Sequence, residues 1–408
     1  MVIHLPYYHS KTYYQEVFNL KTKLFNEVNI LNKDLHAMAD YIFDNPELGN
    51  VEFKAAKLLT DYLEANGFEV ERGIANLETA FRATYKYGEG GPSIGLLCEY
   101  DALEKLGHAC GHHMQGPAIL GAAVAVKNIM KDKPYTLVVY GTPAEETTHG
   151  KLRMIEQNYF NDIDIALMMH GSPTTTTDVK SLAMSNFVVT FNGKKAHAAL
   201  MPEEGRSALD ALLLSFNGIE FLREHVRDDV RMMYTILETP GPANVVPDRA
   251  IGKFSLRSYS RAALNEVVDR FKKLIEGASL MADVSYHIHA EDSLDNKIPV
   301  LKLNELLMKN AELTGAPRLS PPREKTGSSD FSNVMYLVPG SCIRVAFVEV
   351  GTSSHSDEYI QAGKSEAAHN AVTYAAQILA GVTYDLITDE KRFAEIKEEF
   401  KTNKAIHK

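Results

Sequence analysis

Between Cys98 and Gly121 the sequence reads CEYDALEKLGHACGHHMQGPAILG, which brings Cys110, His112 and His113 together with His108 just ahead. Thiolate and imidazole are soft and borderline ligands, and a strand-to-helix loop can aim several of them at one divalent ion. The ordinary alternative is a loop cysteine serving as a small apolar residue among histidines placed there by chance. Further along, Glu145-Glu146 follows Thr142-Pro143-Ala144, His170 closes an apolar run, and His355 stands in the polar stretch GTSSHSDE. Each has an everyday role when taken alone: a solvated acidic pair, a strand-end histidine, a surface loop. Together, Cys110, His112, Glu146, His170 and His355 offer what a hydrolytic two-metal site needs, in which ions ~3.5–4 Å apart share a bridging ligand. Cys110 is the soft candidate for that bridge. Of two adjacent carboxylates, one can bind metal while the other acts as general base, and spacing does not decide which.

These residues need elements to position them. Apolar positions Val17, Leu20, Leu24, Val28, Leu31, Leu35, Met38 and Ile42 predict a helix over 11–44, and Glu52–Asn66 predicts another with Gly67 at its C-cap. Strands are expected at 68–72, 79–87 and 93–99, then a helix from Gln115 to about Met130. Tyr135–Tyr140 and Ile163–Met169 read as strands around a helix over 150–159. Such alternation implies a three-layer α/β domain with a mainly parallel sheet, whose sites lie beyond the carboxyl ends of its strands. Ser172–Lys180, with four successive threonines, reads as a linker. Beyond it the order becomes β-α-β-β-α-β: strands at 183–191, 232–238, 250–258 and 284–290, helices at 207–224 and 261–278, Ser260 capping the second. This is the split pattern of a ferredoxin-like sandwich. The expected organisation is therefore a domain of 1–179 and 294–408 carrying an insertion of 180–293. A helix from Val300, a strand at 345–350 and a helix over 366–379 complete the chain.

HACGHH, TPAEE, the strand-end MMHG and the late SSHSDEY, with Pro46-Glu47-Leu48-Gly49 and the Cys98–Asp101 run, resemble the ordered motif series of peptidase family M20 in its amidohydrolase subgroup. That subgroup takes in aminoacylase, carboxypeptidase, indoleacetyl-amino-acid hydrolase and aminobenzoyl-glutamate hydrolase types. The resemblance runs from about residue 34 to 380. It implies a zinc-peptidase-like catalytic domain and an inserted dimerisation or lid domain. It implies two divalent ions in each protomer, zinc or manganese, with cobalt or nickel as other options. Cys110 would be the bridge, His112, Glu146, His170 and His355 the other ligands, and Glu145 the base acting on a metal-bound hydroxide. His197 would hydrogen-bond the oxyanion, and Asn244 and Arg257 would hold the substrate carboxylate. Asp330 would orient a ligand or hold the substrate amine, with helix capping as its alternative. The chain departs from its relatives at His113, where many have Asp, and at Thr147-Thr148-His149-Gly150 in place of a glycine-rich run. His149 is thereby a candidate substrate contact. The expected activity is hydrolysis of the amide bond of N-acyl amino acids or short dipeptides. Two alternatives remain: a cysteine hydrolase with Cys110 as nucleophile, and a non-catalytic metal- or ligand-binding relative.

Composition sets outer bounds. A chain of 408 residues suggests about two domains. The formal charge of −10 argues against nucleic-acid and anionic-membrane partners. The N-terminal MVIHLPYYHSKTYY lacks the apolar core of a signal peptide, and three cysteines make no disulfide framework. A cytoplasmic, homodimeric or larger enzyme acting on a small molecule is the expectation.

Overall fold

The computed structural model describes residues 7–238 and 241–407, with backbone alone for 7–19. It divides into two compact units. The first takes the residues up to Val179 with Ile298–Glu324 and Asn333–Lys404; the second takes Lys180–Lys297, Lys325–Ser332 and the residues from Ala405. The N-terminal residues 1–6 and the side chain of Val17 lie outside the described residues.

The chain opens with α1 (Tyr7–Asp44) and α2 (Phe53–Ala65), followed by β1 (Glu69–Arg72), β2 (Phe81–Tyr87), β3 (Ser93–Cys98), α3 (Gln115–Ile129), β4 (Tyr135–Gly141), α4 (Gly150–Glu156), β5 (Ile165–Ser172) and β6 (Thr176–Thr177). The second unit supplies β7 (Ala183–Asn192), α5 (Ala208–Arg223), β8 (Arg231–Glu238), β9 (Arg249–Ser258), α6 (Arg261–Ala282) and β10 (Ser285–Leu294). Then come α7 (Leu301–Thr314), α8 (Phe331–Val334), β11 (Gly340–Ala346), α9 (Asp357–Ala362), α10 (Glu366–Thr388) and α11 (Glu390–His407).

The first unit is built on a seven-stranded sheet of order β1-β2-β4-β3-β5-β11-β6. Its centre, β4-β3-β5-β11, is parallel, and its edges are antiparallel. β3 and β5 are almost wholly buried, as strands in a covered parallel sheet must be. α3 is apolar all round and buried from Gln115 to Val126, because α1 and α10 pack against it. A Cβ at Gly121 would lie 2.6 Å from Leu35 Cδ1 and 3.1 Å from Ala376 Cβ, so only glycine lets the three helices approach this closely.

The threonine run is not a linker. β6 pairs antiparallel with β11, and Thr175, Thr176 and Thr177 are fully buried. Hydroxyls made the run look solvated, but threonine is a β-branched strand former, and Thr176 Oγ1 donates to the Pro321 carbonyl at 2.8 Å. Other boundaries move as well. α4 stops at Glu156, β11 precedes the expected 345–350, and α10 runs on to Thr388. The charged helix α11 was not expected, since Ile396 and Phe400 are its only buried side chains. No described helix is long and apolar enough to cross a membrane.

The second unit is a four-stranded antiparallel sheet of order β10-β7-β9-β8 with α5 and α6 on one face. Phe187, Val189, Phe191, Phe254 and Leu256 alternate inward to meet Leu212, Leu264 and Phe271. Ser207 and Ser260 cap the two helices, accepting from the backbone of Asp210 and Ala263.

Candidate metal centre and active site

The chain leaves β3 through Glu99, Tyr100 and Asp101, all buried. Asp101 then fixes two neighbours. Its Oδ1 accepts from His112 Nδ1 at 3.0 Å, and its Oδ2 accepts from the Glu146 backbone N–H at 2.9 Å. With Nδ1 donating to Asp101, Nε2 is the nitrogen that His112 would present to a metal once the ring gives up its second proton. That Nε2 is buried with no hydrogen bond, although Glu99 Oε2 stands 3.3 Å away. Gly111, at φ +83°, turns the backbone between Cys110 and His112 in a conformation that other residues rarely adopt.

Three more loops converge. Ala144, at φ +59°, swings Glu145 and Glu146 off the end of β4, and its N–H is held by buried Glu52 Oε1 at 2.8 Å. His170, in β5, donates from Nδ1 to the Gly171 carbonyl at 2.8 Å, which leaves Nε2 3.6 Å from Cys110 Sγ. His355, at φ +62°, is tied to the cysteine loop by its backbone N–H, which donates to the Ala109 carbonyl at 2.9 Å. Its Nε2 stands 3.2 Å from Glu146 Oε1, an oxygen otherwise without a hydrogen bond. Non-glycine residues at positive φ are costly, and here they sit beside both late motifs.

The donor atoms fall into sets within 4.8 Å of one another: Cys110, His112 and His170; Cys110, Glu146 and His355; His112, Glu145 and Glu146. Cys110 belongs to the first two sets. Thiol, imidazole and carboxylate donors around buried, unpaired Nε2 and Oε1 atoms fit borderline divalent cations. Burial pushes the Cys110 thiol up to about 12 and, with the nearby Arg344 charge, His170 down to about 3. Burial would raise Glu99, but Lys151 and His112 override it and bring it to about 2. Lys151 Nζ lies 2.6 Å from Glu99 Oε1, and both side chains are closed to solvent.

The remaining candidates have distinct local settings. His149, at φ +53°, donates from Nδ1 to the Glu145 carbonyl at 2.8 Å, so it braces the carboxylate pair. His113 is turned to the Gly363 carbonyl at 2.8 Å and lies edge-on to Phe43. The acid that orients His112 is Asp101, not the residue at position 113. In the second unit, His197 bridges to Val245, and the Asn244 carbonyl accepts from Ala198 N at 3.0 Å, so His197 and Asn244 are neighbours. Arg257 sits on β9 between Met184 and Arg231, its Nε buried without a hydrogen bond. Asp330 is fully buried just before α8.

The model of peptidase family M20/M25/M40 matches residues 94–380, which span every one of these loops. The chain belongs to that family. It is 29% identical to a p-aminobenzoyl-glutamate hydrolase chain of Escherichia coli over 89% of this chain and 91% of that protein. It is 30% identical to the Xaa-Arg dipeptidase of Mus musculus over 94% and 92%. Among solved structures, a dinuclear metal-binding M20 peptidase of Bacillus subtilis superposes with a TM-score of 0.69 at 19% identity, covering 88% of this chain and 99% of that one. The chain is thus a hydrolase of the M20 family. The cysteine-hydrolase alternative is disfavoured, because a thiol raised by burial is a poor nucleophile. The non-catalytic alternative is disfavoured too, since the proposed base and all five proposed ligand positions hold residues able to serve.

Several residues around this M20 site were not singled out from sequence. Asp101 enters the sequence reading only within the Cys98–Asp101 run, though an acid three residues past a buried strand is a signal in itself. Nothing local in the sequence marks Lys151 as the buried partner of Glu99. Glu52, which shapes the turn before Glu145, is likewise visible only in three dimensions.

Proposed function

We propose that this M20 hydrolase cleaves the amide bond of N-acyl amino acids or short dipeptides with two divalent ions held by Cys110, His112, Glu146, His170 and His355. The reading rests on one observation above others: Cys110 is common to two donor sets, one completed by His112 and His170, the other by Glu146 and His355. A cysteine shared between two sets of donors is the arrangement that would hold a bridged pair. The relatives named above act on an aminobenzoyl amino acid and on dipeptides, which supports the substrate class.

Zinc or manganese, with cobalt or nickel as other options, would supply Lewis acidity that polarises the scissile carbonyl and brings the pKa of water towards ~7. The protein's own groups do the rest. Glu145 accepts the proton of the attacking water and passes it to the leaving amine. Asp101 keeps His112 in its ligand tautomer and holds the Glu146 backbone. His197 Nδ1 accepts from Ala199 N–H at 3.3 Å, which makes Nε2 the donor, as an oxyanion partner must be. Asn244 and Arg257 are assigned to the substrate carboxylate, and Asp330 and His149 to substrate positioning. Residues 180–293 are assigned as the dimerisation or lid domain of a homodimer or higher oligomer, and the cytoplasm as its compartment.

The test is a screen of metal-loaded protein against N-acetyl amino acids, aminobenzoyl-glutamate and β-alanyl dipeptides, before and after chelation. Hydrolysis abolished by chelator and restored by Mn²⁺ or Zn²⁺ supports the reading. Full activity after thorough metal removal refutes it.

A further inference from the structure

Arg344 is a buried cation that the proposed chemistry does not use. It lies on β11 as the direct lateral partner of His170 on parallel β5. Paired residues of a parallel ladder project from the same face of the sheet, on strands ~4.8 Å apart. Arg344 therefore stands beside a proposed ligand, and its charge is one reason His170 resists protonation.

The guanidinium is half committed. Its Nε donates to Asp178, whose two carboxylate oxygens lie at 3.1 and 3.0 Å. The Asp178 side chain is 1% exposed and also takes Arg323 Nε at 2.7 Å. Two guanidiniums thus share one carboxylate, and positive charge is left over. Among the described residues no hydrogen bond reaches Nη1 or Nη2 of Arg344, and its side chain keeps 19% of its surface open. A guanidinium pinned at Nε and open at both Nη atoms is a preset fork for a carboxylate.

We propose that Arg344 binds an anionic group of the substrate, so that the enzyme favours N-acyl amino acids or dipeptides bearing a carboxylate beyond the one on the α carbon. The inference rests on the amidohydrolase reading of the same site. A purely structural Arg344 would only join β11 to the short edge strand β6, where Thr176 is its other lateral partner. That role predicts no ligand preference.

The test compares glutarate with glutaramate, which replaces one carboxylate by an amide, using isothermal titration calorimetry on the zinc-loaded full chain. Wild type is expected to bind glutarate about ten- to a hundredfold more tightly, the usual range for hydrogen bonds to a charged group. Arg344→Met should erase that ratio, and Arg344→Lys should keep the charge but lose most of it. Equal affinity of wild type for the two ligands overturns the proposal, as does a ratio unchanged in the variants. If the methionine variant fails to fold by thermal melting, the wild-type comparison and the lysine variant decide. Amide hydrolysis without the glutarate preference sinks Arg344 alone, while the preference without hydrolysis of any N-acyl amino acid or dipeptide sinks the amidohydrolase reading alone.

Discussion

Asp101 and His112 meet at 3.0 Å, Oδ1 to Nδ1, with both side chains at most 1% exposed. The second carboxylate oxygen holds the Glu146 backbone, so one buried acid sets the aim of two proposed ligands. Asp101→Ala is expected to weaken metal binding about 10–100-fold, the range for lost partners of metal-bound histidines. Asp101→Asn should fall between, since its amide can still accept from Nδ1 but cannot reinforce the imidazole by charge. Metal titration followed by competition with a chromophoric chelator measures the effect. Wild-type affinity in the alanine variant would show that His112 needs no such anchor.

The adjacent carboxylates give a sharper contrast. Glu145→Gln should cut kcat by about 10²–10⁴, as loss of a general base does, while bound metal stays at the wild-type level. Glu146→Gln should lower the metal content itself. Elemental analysis beside steady-state kinetics separates the two outcomes. The reverse pattern would exchange the roles of base and ligand.

Much of this was legible in the sequence because the chemistry sits in short runs. Cys110 and His112 share one loop, Glu145 and Glu146 are consecutive, and His170 ends an apolar strand. The fold class followed from the change in rhythm after β6, where helix–strand alternation gives way to the split β-α-β-β-α-β order. What failed was reading polarity as exposure. Thr175–Thr177 are buried, the Thr175 hydroxyl accepting from Ala346 N–H and the Thr176 hydroxyl donating to the Pro321 carbonyl, and Lys151 is buried because Glu99 awaits it fifty-two positions upstream. Long-range pairing of this kind leaves no periodic trace. Glu52 and Arg344 share that fate, each defined by a partner distant in sequence.

Gly111 offers a backbone test of how the cysteine loop is held. Its φ of +83° is strained for any residue with a Cβ, and a Cβ there would lie 3.1 Å from Met114 Cε. Gly111→Ala should destabilise the protein by about 1 kcal/mol or somewhat more, since alanine is incompatible with positive φ. It should also misdirect Cys110 and His112, so loss of metal affinity should exceed what Gly67→Ala produces at the left-handed C-cap position after α2. Urea unfolding and metal titration of both variants make the comparison. Equal metal affinity in the two would mean that the loop tolerates the turn's loss.

Acid sensitivity should trace in part to the interface of α1 and α10. His36 stacks on His369 with ring centroids 4.7 Å apart, its Nε2 is 3.0 Å from Thr373 Oγ1, and His369 Nε2 is 2.8 Å from Asp40. Burial, then the His369 charge, lowers the His36 pKa below its ordinary value; Asp40 opposes the shift without reversing it. Between that lowered value and the unfolded-state value of about 6.5, the unfolded chain binds more protons. Stability therefore rises with pH through this window, and falls as pH drops below about 6.5 because the native state resists protonation. His36→Gln removes the titrating group while keeping a polar end near Thr373. Melting temperatures measured from pH 7.5 down to 5 should fall less steeply in the variant than in wild type. Parallel curves would show that His36 titrates alike in the folded and unfolded chains, and a steeper fall in the variant would reverse the sign argued here.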